Sequence, residues 1–220
     1  SCGPACLTEH ASPAAAAFTA LGARFASGPA ALAAAFREVR VLAFDWDGVL
    51  GTGAKAGGLD SPFDEADSMG VNLLRYAIAR RTGEGPVCAI LSGASASAAE
   101  QFARRERFHR VYRGARVKHL AFDRLLAALG GVEPRTVACF FDDVTDLAIA
   151  RRCGVRVLVR RAASPLFVEH ALGTGAVDYV TAHDARTNGV REACEMLLGV
   201  CGDAAAGFAS RGASDPEYEA

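Results

Sequence analysis

From Val41 onward the chain repeats one pattern: a short, unbroken apolar run followed by a helix-length segment. The runs are Val41–Phe44, Val87–Leu91, Val111–Tyr112, Val137–Phe141, Val155–Val159 and Tyr179–Val180. A strand with one wet face would alternate apolar and polar residues. Strands with no polar position are buried on both faces, as in a parallel sheet covered by helices. The predicted class is therefore α/β, a doubly wound, Rossmann-like parallel sheet with helices on both faces. Ligands of such sheets bind outside the carboxyl ends of the strands, so the polar residues just after each run are the candidates for function.

The intervening segments have the helical period. Val117 to Leu129 sets Leu120, Phe122, Leu125, Leu126 and Leu129 on one predicted face and closes with Gly130-Gly131. With 220 residues, 51% of them hydrophobic, the chain can bury one full core. We expect one domain over residues 39–200. An Ala-rich extension, 1–38, precedes it as two short helices, roughly 14–25 and 29–38. A flexible tail, 201–220, follows.

A formal net charge of −1 and the lack of any Lys/Arg run leave no electrostatic footprint for nucleic acid. No run approaches the ~18 apolar residues of a membrane span. The N-terminus carries Glu9 and His10 and no basic leader, which argues against a signal peptide. The seven cysteines are odd in number and include no C-x-x-C pair. Cys88 and Cys139 lie inside apolar runs and are expected as buried free thiols, which suits a reducing cytoplasm.

The first run ends in Phe44-Asp45-Trp46-Asp47-Gly48, where alternation turns both carboxylates to one side. Such a pair can ligate a metal, act as nucleophile and general acid, or merely shape a turn. The fourth run ends in Asp142-Asp143-Val144-Thr145-Asp146 at the same sheet edge. Acids so crowded repel unless a cation intervenes, and hard oxygen donors suit magnesium better than zinc. No histidine falls in a ligand spacing. Ser92-Gly93, after the second run, offers a hydroxyl and the N–H groups of a helix N-terminus, either an anion site or an ordinary cap. Lys118 stands out because the chain has twenty-two arginines and only two lysines, Lys55 and Lys118. A compact ammonium at that helix start is either a phosphate ligand beside the acids or a solvated side chain.

Taken in order, Asp45-x-Asp47, Ser92, Lys118 and Asp142-Asp143-x-x-Asp146 resemble the four motifs of haloacid dehalogenase-type phosphatases. Asp67-Ser-Met-Gly-Val-Asn-Leu-Leu, Ala121-Phe-x-x-Leu-Leu-Ala-Ala-Leu, Tyr179-Val-Thr and Asn188-Gly-Val-Arg-Glu are similar to the capless subgroup of 3-deoxy-manno-octulosonate 8-phosphate phosphatase. The resemblance spans residues 41 to about 199 and implies a fold with no large cap. It implies Mg2+ bound by Asp45, the Asp47 carbonyl and Asp142, with Asp45 as nucleophile and Asp47 as general acid and base. Ser92, Gly93 and Lys118 would hold the phosphate, and Asp143 and Asp146 would orient Lys118 and metal-bound water. The implied substrate is a small phosphorylated sugar or sugar acid.

A homo-oligomer, a tetramer, is also implied, although the hairpin segment Gly51–Asp67 is short and rich in Gly and Ala. Other departures are Phe141 where the subgroup has glycine, Ala94 where it has arginine, Val117 where it has an acid, and Arg186-Thr187-Asn188-Gly189 in place of a glycine-rich stretch. If alternation holds, Phe141 shares a face with Cys139 and points away from Asp142. Turned into the site instead, it would leave a non-catalytic binding or scaffold module. A receiver domain phosphorylated on aspartate has similar parts, but its lysine would not precede a further acidic cluster.

Overall fold

The computed structural model describes residues 12–55, 61–95 and 97–213. The six apolar runs pair as strands and a seventh joins them. In chain order these are β1 (Arg24–Phe25), β2 (Val41–Phe44), β3 (Val87–Leu91), β4 (Arg110–Tyr112), β5 (Val137–Phe141), β6 (Val155–Leu158) and β7 (Tyr179–Val180). Their spatial order is β1-β7-β6-β5-β2-β3-β4, parallel throughout except for β1 against β7. After β2 the chain builds outward through β3 and β4; after β5 it builds the other way through β6 and β7. The strand order therefore switches between β2 and β5, whose register aligns Phe44 with Phe140. A crevice at this switch point is where a doubly wound sheet takes its ligands.

The helices among the described residues are α1 (Pro13–Ala20), α2 (Pro29–Arg37), α3 (Glu65–Thr82), α4 (Ser97–Arg105), α5 (Lys118–Ala128), α6 (Leu147–Ala150), α7 (Pro165–Gly173), α8 (Gly189–Cys201) and α9 (Ala204–Gly212). They cover both faces of the sheet. On one face Leu32, Phe36, Val71, Leu74, Phe102 and Leu197 bury against Leu42, Phe44 and Phe140. On the other, Phe122, Leu125, Ile149 and Ala171 bury against Val41, Cys139 and Phe141. Alternation along β5 thus persists to its last residue. None of the helices is long and apolar enough to cross a membrane.

The α3 helix shows why these segments start where they do. Asp64 caps it by accepting the Ala66 N–H at 2.8 Å, acids fill its first turn and arginines its last, each matching the helix dipole. Asp67 of that first turn does a second job. Asn188, the residue before α8, makes no side-chain cap, and the Asp67 carboxylate accepts the Arg191 N–H at 2.7 Å instead. Two of the family-like segments therefore meet in space to terminate one helix. Glu192 does the same for the chain after β7, accepting from the Tyr179 hydroxyl at 2.6 Å and from Ala182 and His183 N–H at 2.8 Å.

Several expectations need correction. The first predicted helix, 14–25, stops at Ala20: Gly22, at φ +101°, turns the chain so that Arg24–Phe25 pairs with β7. The predicted extension therefore supplies an edge strand, and its α2 residues Leu32 and Phe36 enter the main core. The predicted flexible tail begins with α9, which packs on α3, Tyr76 and Ser210 meeting at 2.6 Å. Leu120 leaves the predicted apolar face of α5 and is half exposed, Ala121 taking the buried position. Residues 1–11, 56–60, 96 and 214–220 lie outside the described residues, and with them Cys2, Cys6 and part of the Gly51–Asp67 segment. In the described part of that segment the sheet-like pairing is two isolated bridges of Gly51, one with Phe63 and one back to Asp47. Cys88, Cys139, Cys153 and Cys194 are buried free thiols.

Candidate active site

Asp45 is the first residue past β2, and its N–H still donates to the Phe140 carbonyl at 2.9 Å, so the sheet ladder fixes its backbone. Trp46 then plunges into the core, fully buried and 5.6 Å in ring-centroid distance from Phe102. This anchor pins the tight turn that follows, in which Gly48 N–H donates to Gly51 O and Gly51 N–H to Trp46 O, both at 2.7 Å. Gly48 sits at φ +91°, and a Cβ there would lie 2.8 Å from Asp142 Cγ and 2.5 Å from Arg161 Nη2. Only glycine lets the two strand ends close on each other at this point.

Asp142 follows β5 directly, and Asp146 comes one short turn later, capped by Asp143, whose Oδ1 accepts the Val144 N–H at 2.7 Å. Oxygens of Asp45, Asp142 and Asp146 lie within 4.8 Å of one another, all three residues buried. Lys118, the first residue of α5 and 6% exposed, reaches between them, 2.9 Å from Asp45 Oδ1 and 2.5 Å from Asp146 Oδ1. Asp45 Oδ1 also accepts the Trp46 N–H at 2.7 Å.

The charges do not balance. Burial pushes Asp142 up to about 7, and the Asp45 charge adds to it, with Arg161 opposing. Asp146 is pushed up to about 7 by burial and then by Asp45, against Lys118. Burial would lower the Lys118 ammonium, but the Asp45 and Asp146 carboxylates outweigh it and hold it well above the usual lysine range. Asp146 Oδ2 is buried with no hydrogen-bond partner. Three carboxylates, an orphaned acceptor and a backbone opened by Gly48 fit a hard cation such as magnesium.

Of the sequence candidates, the structure brings Asp45, Asp142 and Asp146 together with Lys118, which pairs with Asp45 and Asp146. The Asp47 carboxylate turns outward to pair with Lys55, while its carbonyl faces Arg161 Nη2 at 3.4 Å. Asp143 is exposed and serves its own turn. Ser92 is fully buried, and Gly93 lies against the Lys118 stem, a Cβ on it falling 3.9 Å from Lys118 Cε. They do not sit at a helix start, as expected, but in a loop ahead of α4. There the Ser92 hydroxyl accepts the Ala94 N–H at 3.2 Å and donates to the Ala94 carbonyl at 3.1 Å. Phe141 points away from the acids into the opposite core, fully buried, so it does not narrow the site.

Sequence reasoning missed two residues. Arg161, just past β6, pairs through Nε and Nη2 with Asp142 Oδ2. Its signal was position, since it lies in the segment just after a strand, as Asp45, Ser92 and Asp142 do. Beside it lies a cleft of about 310 Å³ lined by Gly48, Thr52, Gly53, Arg160, Arg161 and Arg186, which brings guanidinium groups near the site where Ala94 supplies none. Lys55 is the second omission; both lysines of the chain serve the Asp45-x-Asp47 motif.

Fold and acid cluster together fit the architecture of the haloacid dehalogenase superfamily, and comparison with known proteins narrows it to phosphatases. Models of known protein families give no match. The chain is 32% identical over 165 residues to 3-deoxy-D-manno-octulosonate 8-phosphate phosphatase KdsC of Escherichia coli, covering 73% of this chain and 80% of that one. A structure from Pseudomonas syringae assigned to the YrbI phosphatase family superimposes with a TM-score of 0.67 at 26% identity, over 82% of this chain and 97% of the other. The Yersinia pestis 3-deoxy-D-manno-octulosonate 8-phosphate phosphatase gives a TM-score of 0.65 at 25% identity, over 80% and 89%. The chain belongs to this family of 3-deoxy-D-manno-octulosonate 8-phosphate phosphatases.

Proposed function

We propose that the chain is a magnesium-dependent phosphomonoesterase acting on a small phosphorylated sugar or sugar acid through an aspartyl-phosphate on Asp45. One observation carries the reading: at the switch point, Asp45 has a backbone fixed by the sheet and one carboxylate oxygen, Oδ1, held by Lys118 and the Trp46 N–H. That leaves Oδ2 to attack phosphorus in line. As the Asp45–phosphorus bond forms, the bond to the leaving alkoxide breaks and Asp47 donates a proton to it; Asp47 then takes a proton from the water that hydrolyses the acyl-phosphate. Asp47 must part from Lys55 to do so. Lys118, with the Ser92-Gly93 loop against its stem, would meet the phosphoryl oxygens. Held by Asp45, the Asp47 carbonyl and Asp142, magnesium would offset the charge spread over those oxygens. Asp146 keeps Lys118 aimed between the acids.

The relatives' substrate supports a sugar acid, and the free thiols support a reducing cytoplasm. The catalytic unit is assigned to residues 39–200, and it is expected to assemble as a homo-oligomer. The test is phosphate release from a panel of sugar phosphates with magnesium chloride or EDTA. We expect magnesium-dependent release that Asp45→Asn abolishes while the chain still folds, as circular dichroism would report, since the amide is nearly isosteric but a poor nucleophile. Retained turnover in that variant would sink the covalent route.

A further inference from the structure

The guanidinium of Arg161 already spans the two oxygens that the proposed cation shares outside Asp45. Nε and Nη2 both meet Asp142 Oδ2, and Nη2 lies 3.4 Å from the Asp47 carbonyl. It packs over Gly48, the position whose missing Cβ keeps this seat open. A carboxylate oxygen and a carbonyl oxygen turned to one point make a cation seat, and a guanidinium and a divalent ion cannot share it, because both need the same oxygens and repel each other. The partners differ in freedom. The Asp142 side chain is 1% exposed and fixed at a strand end, whereas that of Arg161 is 42% exposed on a long stem. There is also somewhere for it to go. Arg161 borders two clefts, one of about 200 Å³ that includes Glu169 and one of about 310 Å³ that includes Asp184.

We propose that Arg161 is an internal counter-ion that competes with the catalytic cation: it neutralises Asp142 and the Asp47 carbonyl in the cation-free protein and must swing out for the cation to bind. Cation affinity in this chain is then set by an exchange, guanidinium charge out and divalent charge in, and not by the acids alone. Arg161 is a positioning residue in this role. The proposal rests on the reading that Asp142 and the Asp47 carbonyl hold the cation.

Calorimetric titration of the EDTA-treated full chain with magnesium chloride tests it without reference to turnover. Arg161→Gln removes the competitor and should bind magnesium at least tenfold more tightly than the unaltered protein. Its cation-free form should melt lower, because Asp142 loses its partner, and magnesium should raise that melting point by more. Arg160→Gln removes an equal charge next door without vacating the seat and should change affinity by less than threefold. Should Arg161→Gln fail to fold, Arg161→Lys keeps the charge but loses the fork and should bind severalfold more tightly. Unchanged or weaker magnesium binding in the Arg161 variants would overturn the proposal, as would equal tightening in Arg160→Gln, which marks a diffuse charge effect. Asp142→Asn separates the two layers. If it leaves magnesium affinity intact, the cation-site reading itself fails; if it weakens binding while Arg161→Gln changes nothing, only the competition fails.

Discussion

Phe141 stands where the sequence resemblance implies glycine, and truncating it gives a prediction with opposite signs for the two ways the ring could point. The ring is fully buried in the cluster that holds Phe122, Leu125 and Leu158, on the face of the sheet away from the acids. Its strand, β5, is held between β2 and β6 by parallel ladders, so the backbone has little room to collapse into the hole. Truncating a buried Phe to Ala costs about 3–5 kcal/mol, and rigid surroundings put this site in the upper half of that range. Glycine in a strand adds up to about 1 kcal/mol. Phe141→Gly should therefore lose roughly 4–6 kcal/mol, a large part of the ~5–15 kcal/mol of a typical domain. With a urea slope of about 2–3 kcal/mol per molar for a chain of this size, the midpoint falls by roughly 2 M. Magnesium-dependent release of nitrophenol from nitrophenyl phosphate, measured well below the new melting point, should stay at the level of the unaltered protein. A loss under ~1 kcal/mol, or a gain in activity on truncation, would show that the ring faces the site and that the core argument is wrong.

Gly48→Ala places a methyl group against the Asp142 carboxylate at a backbone angle of φ +91°, so phosphate release should drop at least tenfold while circular dichroism stays unchanged; near-normal activity would rule out the close approach. Asp67 tests burial through pH. Burial first of all raises its carboxyl from 3.8 to about 6, so ionisation penalises the folded chain: the stabilising effect is complete below about pH 4 and is lost as pH rises through 6. Asp67→Asn cannot ionise but can still accept the Arg191 N–H, and its stability relative to the unaltered chain should improve by about 3 kcal/mol between pH 4 and pH 7 in urea melts. Parallel stability curves over that range would show that Asp67 is not penalised.

What could be read from the sequence follows from how each contact arises. Strands β2, β3 and β5 announce themselves because central parallel strands admit no polar residue, and the polar residues that follow them, Asp45, Ser92 and Asp142, mark the sheet's mouth by breaking that rule. The two-residue β1 carries no such signature: Arg24–Phe25 follows an alanine helix, and only its partner β7 makes it a strand. Helix α9 was hidden for the opposite reason, since Ala, Gly and Ser read as a tail until α3 offers them a surface to pack on. Rarity governed the site in the same way. Lys118 was conspicuous as one of two lysines, whereas Arg161, one of twenty-two arginines, carried no compositional signal although it lies three residues past the end of β6, on the same edge as Asp45 and Asp142. Yet abundance is not interchangeability. Lys118, short-headed and almost fully buried, is locked between two carboxylates. Arg161, with its planar fork and its half-exposed stem, holds one of them from the solvent side, where it can leave. The same buried acids therefore have one permanent cation and one exchangeable cation, and the choice of residue at each position decides which is which.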